Sequence, residues 1–244
     1  MPSPGGRDVA TASVPLRLRG VTLEYEGVTA LDDVDLAVPA GSCTVLVGRN
    51  GSGKTTTLQL ASGRLEPTAG SVEIDGQSTS STAGRSHVRR TVTFALDAPV
   101  FYPDLTVEEH LGFVATAHGI DDDRAIEDLL DGFDLARRRT FLPDQLSSGM
   151  RQKLQLACLF LRPGHVVLLD EPSRALDPAT RDVLWASMAA RKAAGAALLF
   201  TTHQLDFPDD LADRAVVLHD GVVRARGSYA TVMAGRAAAQ LGLA

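Results

Sequence analysis

One glycine-rich segment, GRNGSGKT at residues 48–55, constrains the fold of this chain more than any other part of the sequence. It fits the pattern G-x-x-x-x-G-K-T, follows the apolar run CTVLV at residues 43–47 and precedes a helix-compatible run at residues 56–64. In that context the glycines let backbone N–H groups converge on phosphate, and the helix N-terminus adds the positive end of its dipole. The segment therefore predicts an α/β domain with a phosphate-binding loop.

The residue types of this loop suit a nucleotide bound with a divalent cation. Lys54 neutralises the outer phosphates, and the hydroxyl of Thr55 can ligate Mg²⁺. The glycines allow close approach of the backbone. We predict nucleotide contacts from residues of the loop and of the first helical turn, namely Gly48, Asn50, Gly51, Ser52, Gly53, Lys54, Thr55 and Thr56.

A second apolar run, VVLL at residues 166–169, ends in two carboxylates, Asp170 and Glu171. Asp170 at a strand end can hold Mg²⁺ through water, and Glu171 beside it can polarise an attacking water. An Asp-Glu pair after an apolar run is by itself more often a solvated strand end. The phosphate-binding loop in the same chain favours the catalytic interpretation, with Glu171 as the base and Asp170 as the metal ligand.

The hydrophobic pattern predicts the fold class. Continuous apolar runs at residues 43–47, 166–169 and 196–201 indicate centre strands of a parallel sheet buried on both faces. Alternation over residues 16–25, and looser alternation over residues 28–38, predict antiparallel strands, and residues 106–161 have a nearly all-helical pattern. We therefore predict an α/β protein: a P-loop NTPase core with a parallel sheet, an N-terminal antiparallel β subdomain and an inserted helical lobe.

Composition narrows the classes of partner. The net charge of -6 over 244 residues gives no broad cationic field, so nucleic acid is not an expected partner. Cys43 and Cys158 match no metal or redox spacing and are expected to be reduced thiols. The longest apolar run, residues 193–200, is far shorter than the roughly 20 residues that cross a bilayer. These features predict a cytoplasmic protein.

The motif that separates the classes of nucleotide enzyme is LSSGM at residues 146–150. The Asn-Lys-x-Asp motif that reads guanine in GTPases is absent from the sequence. LSSGM resembles the signature motif of ATP-binding cassette (ABC) ATPases, normally Leu-Ser-Gly-Gly-Gln. Physically it is a second helix N-terminus, carrying Ser147 and Gly149, where anionic phosphate is favoured. The alternative is a plain helix cap by Ser147, and the position of the motif between the loop and Asp170 favours the signature.

The order of the other segments resembles the same family from Tyr25 to about residue 227. The resemblance implies that Tyr25 stacks on adenine and that His203 contacts the γ-phosphate, although each could also be a plain strand or capping residue. It implies that SRALD at residues 173–177 lies between paired subunits, with Asp177 in the nucleotide site. It also implies a dimer in which Ser147 and Gly149 bind the ATP held by the other subunit.

Three departures from the family pattern concern four positions. Asp97 replaces the Gln expected where the chain enters the helical lobe, Ser148 and Met150 replace Gly and Gln in the signature, and Arg174 replaces a small residue. A carboxylate at position 97 can ligate Mg²⁺, so Asp97 is a candidate metal ligand. We hypothesise that Asp97 and Arg174 compensate each other's charge. The alternative is that Asp97 points away from the site.

The resemblance implies an ATP-hydrolysing, Mg²⁺-dependent subunit that powers an exporter through a separate transmembrane permease. It is expected to act as a homodimer or with a paired ATPase subunit, peripheral on the inner face of the membrane. The alternatives are an importer subunit, a soluble ABC ATPase without a transport role, and a module that binds ATP without hydrolysing it. The expected organisation is a flexible tail at residues 1–14, an ABC-type ATPase domain at residues 15–232 with a helical lobe at about residues 98–161, and a short C-terminal segment at residues 233–244.

Overall fold

A computed structural model of the chain describes residues 13–95, 99–203 and 207–235. The strands are β1 (Leu16–Tyr25), β2 (Val28–Val38), β3 (Cys43–Val47), β4 (Ala69–Ile74), β5 (Gln77–Ser78), β6 (Val92–Ala95), β7 (Val166–Leu169), β8 (Ala197–Thr202), β9 (Arg214–His219) and β10 (Val222–Ser228). The helices are α1 (Lys54–Ala61), α2 (Thr82–Thr91), α3 (Val107–His118), α4 (Asp123–Gly132), α5 (Ser148–Leu161), α6 (Pro178–Ala193) and α7 (Tyr229–Met233), with short 3₁₀ turns at Ala136–Arg138 and Pro143–Gln145.

The first sheet is antiparallel, with strand order β2-β1-β4-β5. A two-residue turn at Glu26 and Gly27 joins β1 to β2, and both residues have the positive φ that such tight hairpin turns require. Leu16 and Leu18 of β1 are buried, whereas Arg19 is exposed, because one face of the sheet packs on the core. The alternating pattern over residues 16–38 therefore produces the predicted antiparallel pair.

The second sheet has strand order β10-β9-β3-β8-β7-β6. Its strands β9, β3, β8, β7 and β6 run parallel, and β10 pairs antiparallel with β9 at one edge. Every residue of β3, β7 and β8 is buried, which agrees with their continuous apolar sequences. The carboxyl ends of these three strands meet at one edge of the sheet, so the segments that follow them converge there.

Helices α3, α4 and α5 lie between β6 and β7 in the chain and pack on one another. Helix α3 begins with a capping box between Thr106 and Glu109 and ends at Gly119, which has φ 64°. Leu130 of α4 and Leu154 of α5 are fully buried in the cluster of apolar residues that continues into the sheet. The predicted α/β class with an inserted helical lobe is confirmed.

Helix α1 begins and ends earlier than the predicted run at residues 56–64. It begins at Lys54 because Gly53, with φ 103°, completes the turn out of the loop. It ends at Ala61 because Gly63 adopts a left-handed conformation that stops the helix two residues later.

Neither cysteine forms a disulfide. Cys43 is buried and Cys158 is partly buried. Burial raises the pKa of each thiol to about 12, so both stay protonated at neutral pH. None of the described helices combines the length and the apolar character that a membrane span requires.

Candidate active site

A cavity of about 790 Å³ lies where the chain leaves the carboxyl ends of β3, β7 and β8. Lys54 and Thr55 reach it from the segment after β3, Asp170 and Glu171 from the segment after β7, and His203 from the end of β8. The chain segments that carry these five residues are distant in the sequence. Parallel pairing of the strands brings them together.

Two glycines of the loop are required by close packing. A Cβ atom on Gly48 would collide with the backbone oxygen of Leu218 and lie 2.5 Å from Ser52 Oγ. A Cβ atom on Gly53 would lie 2.6 Å from Leu31 Cδ2, and the φ of Gly53 is itself unfavourable for other residues. The hydroxyl of Ser52 is buried without a hydrogen-bond partner among the described residues, which fits a loop shaped for an anion.

Lys54 lies inside the loop rather than in solvent. Its Nζ donates to the carbonyl oxygens of Gly48 and Arg49 at 2.8 and 3.2 Å. Burial lowers the pKa of Lys54 from its ordinary value, and the carboxylates of Glu171 and Asp170 act in the opposite direction. The cavity therefore contains an ammonium group whose desolvation is only partly offset by protein carboxylates, and an anionic ligand would stabilise its charge.

Two threonine hydroxyl groups hold the Asp170 carboxylate. Thr55 Oγ1 donates to Oδ2 at 2.8 Å, and Thr201 Oγ1 donates to Oδ1 at 2.6 Å. Asp170 is 1% exposed. Both oxygens of this buried carboxylate are thus hydrogen-bonded, which fixes the plane of the group.

Glu171 and His203, which were predicted separately as the base and as a γ-phosphate contact, touch each other in the structure. His203 Nδ1 lies 2.9 Å from Glu171 Oε2, and the backbone N–H of His203 lies 3.4 Å from the same oxygen. Glu171 has a left-handed backbone, with φ 46°, and its N–H donates to Thr201 Oγ1 at 2.9 Å. The Glu171 side chain is only 14% exposed, so its carboxylate is directed by these contacts rather than by bulk water.

The LSSGM segment forms the start of α5, outside the cavity. Ser147 is the N-cap and accepts a hydrogen bond from the backbone of Met150 at 3.2 Å. A Cβ atom on Gly149 would lie 2.8 Å from the carbonyl oxygen of Ala175, itself in a left-handed conformation with φ 60°. Glycine is therefore needed at position 149 because α5 and the loop at residues 173–177 approach closely.

Asp177 has two structural roles at the end of that loop. It caps α6 by accepting from the backbone of Thr180 at 2.9 Å, and it pairs with Lys153 Nζ of α5 at 2.9 Å. The Lys153 contact, followed by the bonds from Thr180, holds the pKa of Asp177 well below its usual range. The carboxylate is therefore ionised across the physiological pH range.

The structure brings together some of the predicted site residues and separates others. Residues that line the cavity are Asn50, Gly51, Gly53, Lys54, Thr55, Thr56, Asp170, Glu171, Arg174 and His203. Residues that lie away from its lining, in the described part of the chain, are Tyr25, Gly48, Ser52, Ser147, Gly149 and Asp177. Asp97 lies outside the described residues.

Sequence reasoning missed three contributions to the site. Val28, Thr29 and Ala30 line the cavity beside the strand end that carries Tyr25, and so do Asp220 and Gly221 at the turn between β9 and β10. Thr201 contacts Asp170 and Glu171. Nothing in the sequence marked it as a site residue, because it is simply part of an apolar strand. Within the described ranges, no three His, Cys, Asp or Glu side chains are arranged to hold a metal by themselves.

Comparison with known proteins shows which proteins this chain resembles. Residues 31–174 match the family model described as "ABC transporter". The chain is 32% identical over 216 residues to the ABC-type transporter ATP-binding protein EcsA of Bacillus subtilis, with 87% of each chain covered. It is 35% identical over 212 residues to the daunorubicin/doxorubicin resistance ATP-binding protein DrrA of Streptomyces peucetius, covering 86% of this chain and 64% of DrrA.

A further relative and a solved structure agree with these matches. The Nod factor export ATP-binding protein I of Burkholderia orbicola is 31% identical over 217 residues, with 88% of this chain and 71% of that protein covered. A structure of an ATP-binding subunit of an ABC transporter superposes with a TM-score of 0.81 at 34% identity, covering 93% of each chain.

Proposed function

This chain belongs to the ABC transporter family and is one of its ATP-hydrolysing subunits, and on that premise we propose that it powers an exporter through a separate transmembrane permease. The observation that carries the catalytic part is the meeting of Lys54, Glu171 and His203 in one cavity. The cavity carries the proposed phosphate-binding, general-base and metal-holding groups of one chain, and the signature departs from the usual form at Ser148 and Met150.

In the proposed reaction, the backbone N–H groups of residues 48–55 and the ammonium group of Lys54 hold the triphosphate of ATP. Glu171 accepts a proton from the water that attacks the γ-phosphorus atom, the bond to the β–γ bridging oxygen breaks, and ADP and inorganic phosphate leave. His203 orients the base, because its Nδ1 lies 2.9 Å from Glu171 Oε2. Its remaining ring nitrogen is then available to the γ-phosphate.

The residues at the ends of β3 and β7 fit Mg²⁺. Thr55 and Asp170 supply a hydroxyl and a carboxylate 2.8 Å apart, and this ion commonly takes one or two protein ligands with water and phosphate oxygens completing its shell. Bound Mg²⁺ supplies positive charge to the phosphate oxygens. Asp97 remains a proposed additional ligand on the strength of its place in the sequence.

We propose that two such chains pair around ATP, as a homodimer or with a related ATPase subunit. Ser147 and Gly149 lie at the N-terminus of the 14-residue helix α5 and away from the cavity of their own chain. An anionic phosphate from a second chain suits that position. Asp177 stands at the start of α6, in the loop that contacts Gly149, and is proposed to lie at the same interface.

The proposed adenine contact rests on Tyr25. Its side chain is at the end of β1 and the residue is 46% exposed. The neighbouring residues Val28, Thr29 and Ala30 line the cavity, so an adenine ring extending from the phosphate loop would reach this hairpin. An exposed aromatic ring gives such a base a flat surface for stacking.

Export is favoured over import by the relatives, among which one is named for Nod factor export and one for drug resistance. A direct test uses inside-out membrane vesicles that carry the chain together with its permease. Doxorubicin is the first compound whose transport is measured. We expect ATP-dependent accumulation of doxorubicin inside these vesicles, and none with a Glu171→Gln variant. ATP-dependent release from preloaded inside-out vesicles would indicate an importer instead.

The proposed location on the inner face of the membrane has its own test. The chain should be digested by added protease in inside-out vesicles and protected in right-side-out vesicles.

The permease is proposed to dock on an exposed apolar patch defined by Val100, Tyr102 and Phe113, which are 84%, 57% and 49% exposed. The rings of Tyr102 and Phe113 contact edge to face, with centroids 5.2 Å apart. The patch extends from the chain that leads into α3 to Phe113 within α3. Exposed aromatic residues of this kind are typical anchors of protein interfaces.

Tyr102→Ala is expected to weaken the complex with the permease by about tenfold or more, because an aromatic hot spot at the centre of an interface commonly contributes about 2 kcal/mol. Asp104→Lys, in the same exposed segment, should act in the same direction. Affinity for the permease in detergent would be measured beside ATP hydrolysis by the isolated chain, which should not change. The control is Asp128→Lys, on the exposed side of α4. Unchanged affinity in both patch variants would rule out this docking surface.

A further inference from the structure

Thr201 touches both carboxylate residues that follow β7, although it lies on the neighbouring strand β8. Its Oγ1 donates to Asp170 Oδ1 at 2.6 Å and accepts from the backbone N–H of Glu171 at 2.9 Å. Thr201 is fully buried, at 0% exposure. A hydroxyl group can donate and accept at the same time, and this one does both.

The backbone N–H of Glu171 lies beyond the paired part of β7 and β8. Parallel pairing of β7 with β8 is recorded as far as Leu169 opposite Phe200. Glu171 then adopts φ 46°, a left-handed conformation that costs on the order of 1–2 kcal/mol for a residue other than glycine. Its backbone N–H donates to the Thr201 hydroxyl at 2.9 Å, so a side chain on β8 supplies the acceptor beyond the last backbone pair.

The bond to Asp170 determines which carboxylate oxygen faces the proposed metal. With Thr201 on Oδ1, it is Oδ2 that faces Thr55, the other proposed ligand. Without the Thr201 hydroxyl, Oδ1 would lose its partner in a site where Asp170 is 1% exposed, and Thr55 alone would hold the carboxylate through Oδ2.

We propose that Thr201 is a positioning residue for ATP hydrolysis. Its single hydroxyl group holds the Asp170 carboxylate and the Glu171 backbone in a fixed relation, so that the metal ligand and the base act together. This inference rests on the roles proposed above for Asp170 and Glu171. It assigns no contact between Thr201 and the nucleotide.

The test compares Thr201→Val, which keeps the shape and removes the hydroxyl, with Thr201→Ser, which keeps the hydroxyl. In Thr201→Val we expect kcat to fall by about 10- to 100-fold and the Mg²⁺ concentration for half-maximal activity to rise, as for the loss of other groups that orient metal ligands. ATP affinity measured without Mg²⁺ should stay unchanged. Thr201→Ser should retain most of the activity and the original Mg²⁺ dependence.

The matched control is Thr44→Val on β3. Thr44 is 1% exposed, and its Oγ1 has no hydrogen-bond partner among the described residues, so this change removes a buried hydroxyl that positions nothing. It should leave kcat and the Mg²⁺ dependence unchanged. If Thr201→Val does not fold, Thr201→Ala is used for the same comparison, since its smaller side chain removes the hydroxyl without placing a methyl group against Asp170.

Two results would overturn the proposal: wild-type kcat and Mg²⁺ dependence in Thr201→Val, or an equal loss of kcat in Thr201→Val and Thr201→Ser. Glu171→Gln is assayed in parallel to separate this inference from the proposed active site. An inactive Glu171→Gln with a fully active Thr201→Val would remove only the role of Thr201. A fully active Glu171→Gln would instead remove the assignment of the base itself.

Discussion

Glu171→Gln will reduce ATP hydrolysis by about 10²- to 10⁴-fold, the usual contribution of a general base, while ATP binding persists. The amide cannot accept the proton of the attacking water, but it has nearly the shape of the carboxylate and can still contact His203. The negative charge near the phosphates is also removed, which favours the ATP-bound state. We therefore expect Mg-ATP to convert the variant to a stable dimer in sedimentation velocity experiments, whereas the parent chain should dimerise only transiently.

The control for this experiment is Glu66→Gln. Glu66 forms an exposed ion pair with Arg85, and such surface pairs contribute little to stability. Its replacement should change neither hydrolysis nor sedimentation. If Glu171→Gln binds ATP and remains monomeric both alone and with its permease, the proposed pairing around ATP is wrong. Loss of hydrolysis without dimerisation would leave Glu171 as the base and remove only the pairing.

Gly48→Ala will abolish high-affinity ATP binding. The new Cβ atom would collide with the backbone oxygen of Leu218 and approach Ser52 Oγ within 2.5 Å, so β9 and the loop cannot keep their relative positions. Because one of the colliding atoms belongs to the backbone, a change of side-chain rotamer cannot relieve the overlap. Overpacking of this kind typically costs about 1–3 kcal/mol, and the displaced loop would no longer direct its N–H groups at phosphate.

Gly112→Ala is the matched control for Gly48→Ala. Gly112 lies within α3, and a Cβ atom there would meet no other atom within 4 Å. The change should raise the free energy of unfolding by up to about 1 kcal/mol, since alanine favours a helix over glycine by that amount. ATP affinity, measured by calorimetry, should be unchanged in Gly112→Ala and lost in Gly48→Ala. Equal affinities in the two variants would contradict the steric role of Gly48.

The strands of this protein were the part most readily predicted from the sequence. The boundaries of β1, β2, β3 and β7 coincide with their apolar or alternating runs, because burial on one or both faces dictates those patterns. The glycine-rich loop was equally easy to predict from its sequence pattern, although the contacts with Leu218 and Leu31 that require Gly48 and Gly53 come from distant segments. The end of α1 was predicted less well, because the conformation of Gly63 outweighed the helix-compatible residues before it.

Contacts between distant segments could not be predicted from patterns. Thr201 lies 31 positions after Asp170 and is embedded in an apolar strand, so nothing local distinguishes its hydroxyl from that of Thr202. The pair of Lys153 with Asp177 likewise joins two helices whose relative position depends on the packing of the whole domain. Gly149 was interpreted only as a phosphate contact, although its close approach to Ala175 is a sufficient steric reason for glycine.

The start of α5 is joined to the loop after β7 at two points, where Gly149 meets the carbonyl oxygen of Ala175 and where Lys153 pairs with Asp177. The same short loop begins at Glu171, whose carbonyl oxygen accepts from the backbone of Arg174 at 3.1 Å. Glu171, the proposed general base for ATP hydrolysis in one chain, is therefore mechanically connected to the start of α5, which is proposed to bind the ATP of the other chain. In a pair of such chains, a shift of Glu171 on one side would displace the Ser147 end that completes the opposite site, so the two hydrolysis events would not be independent.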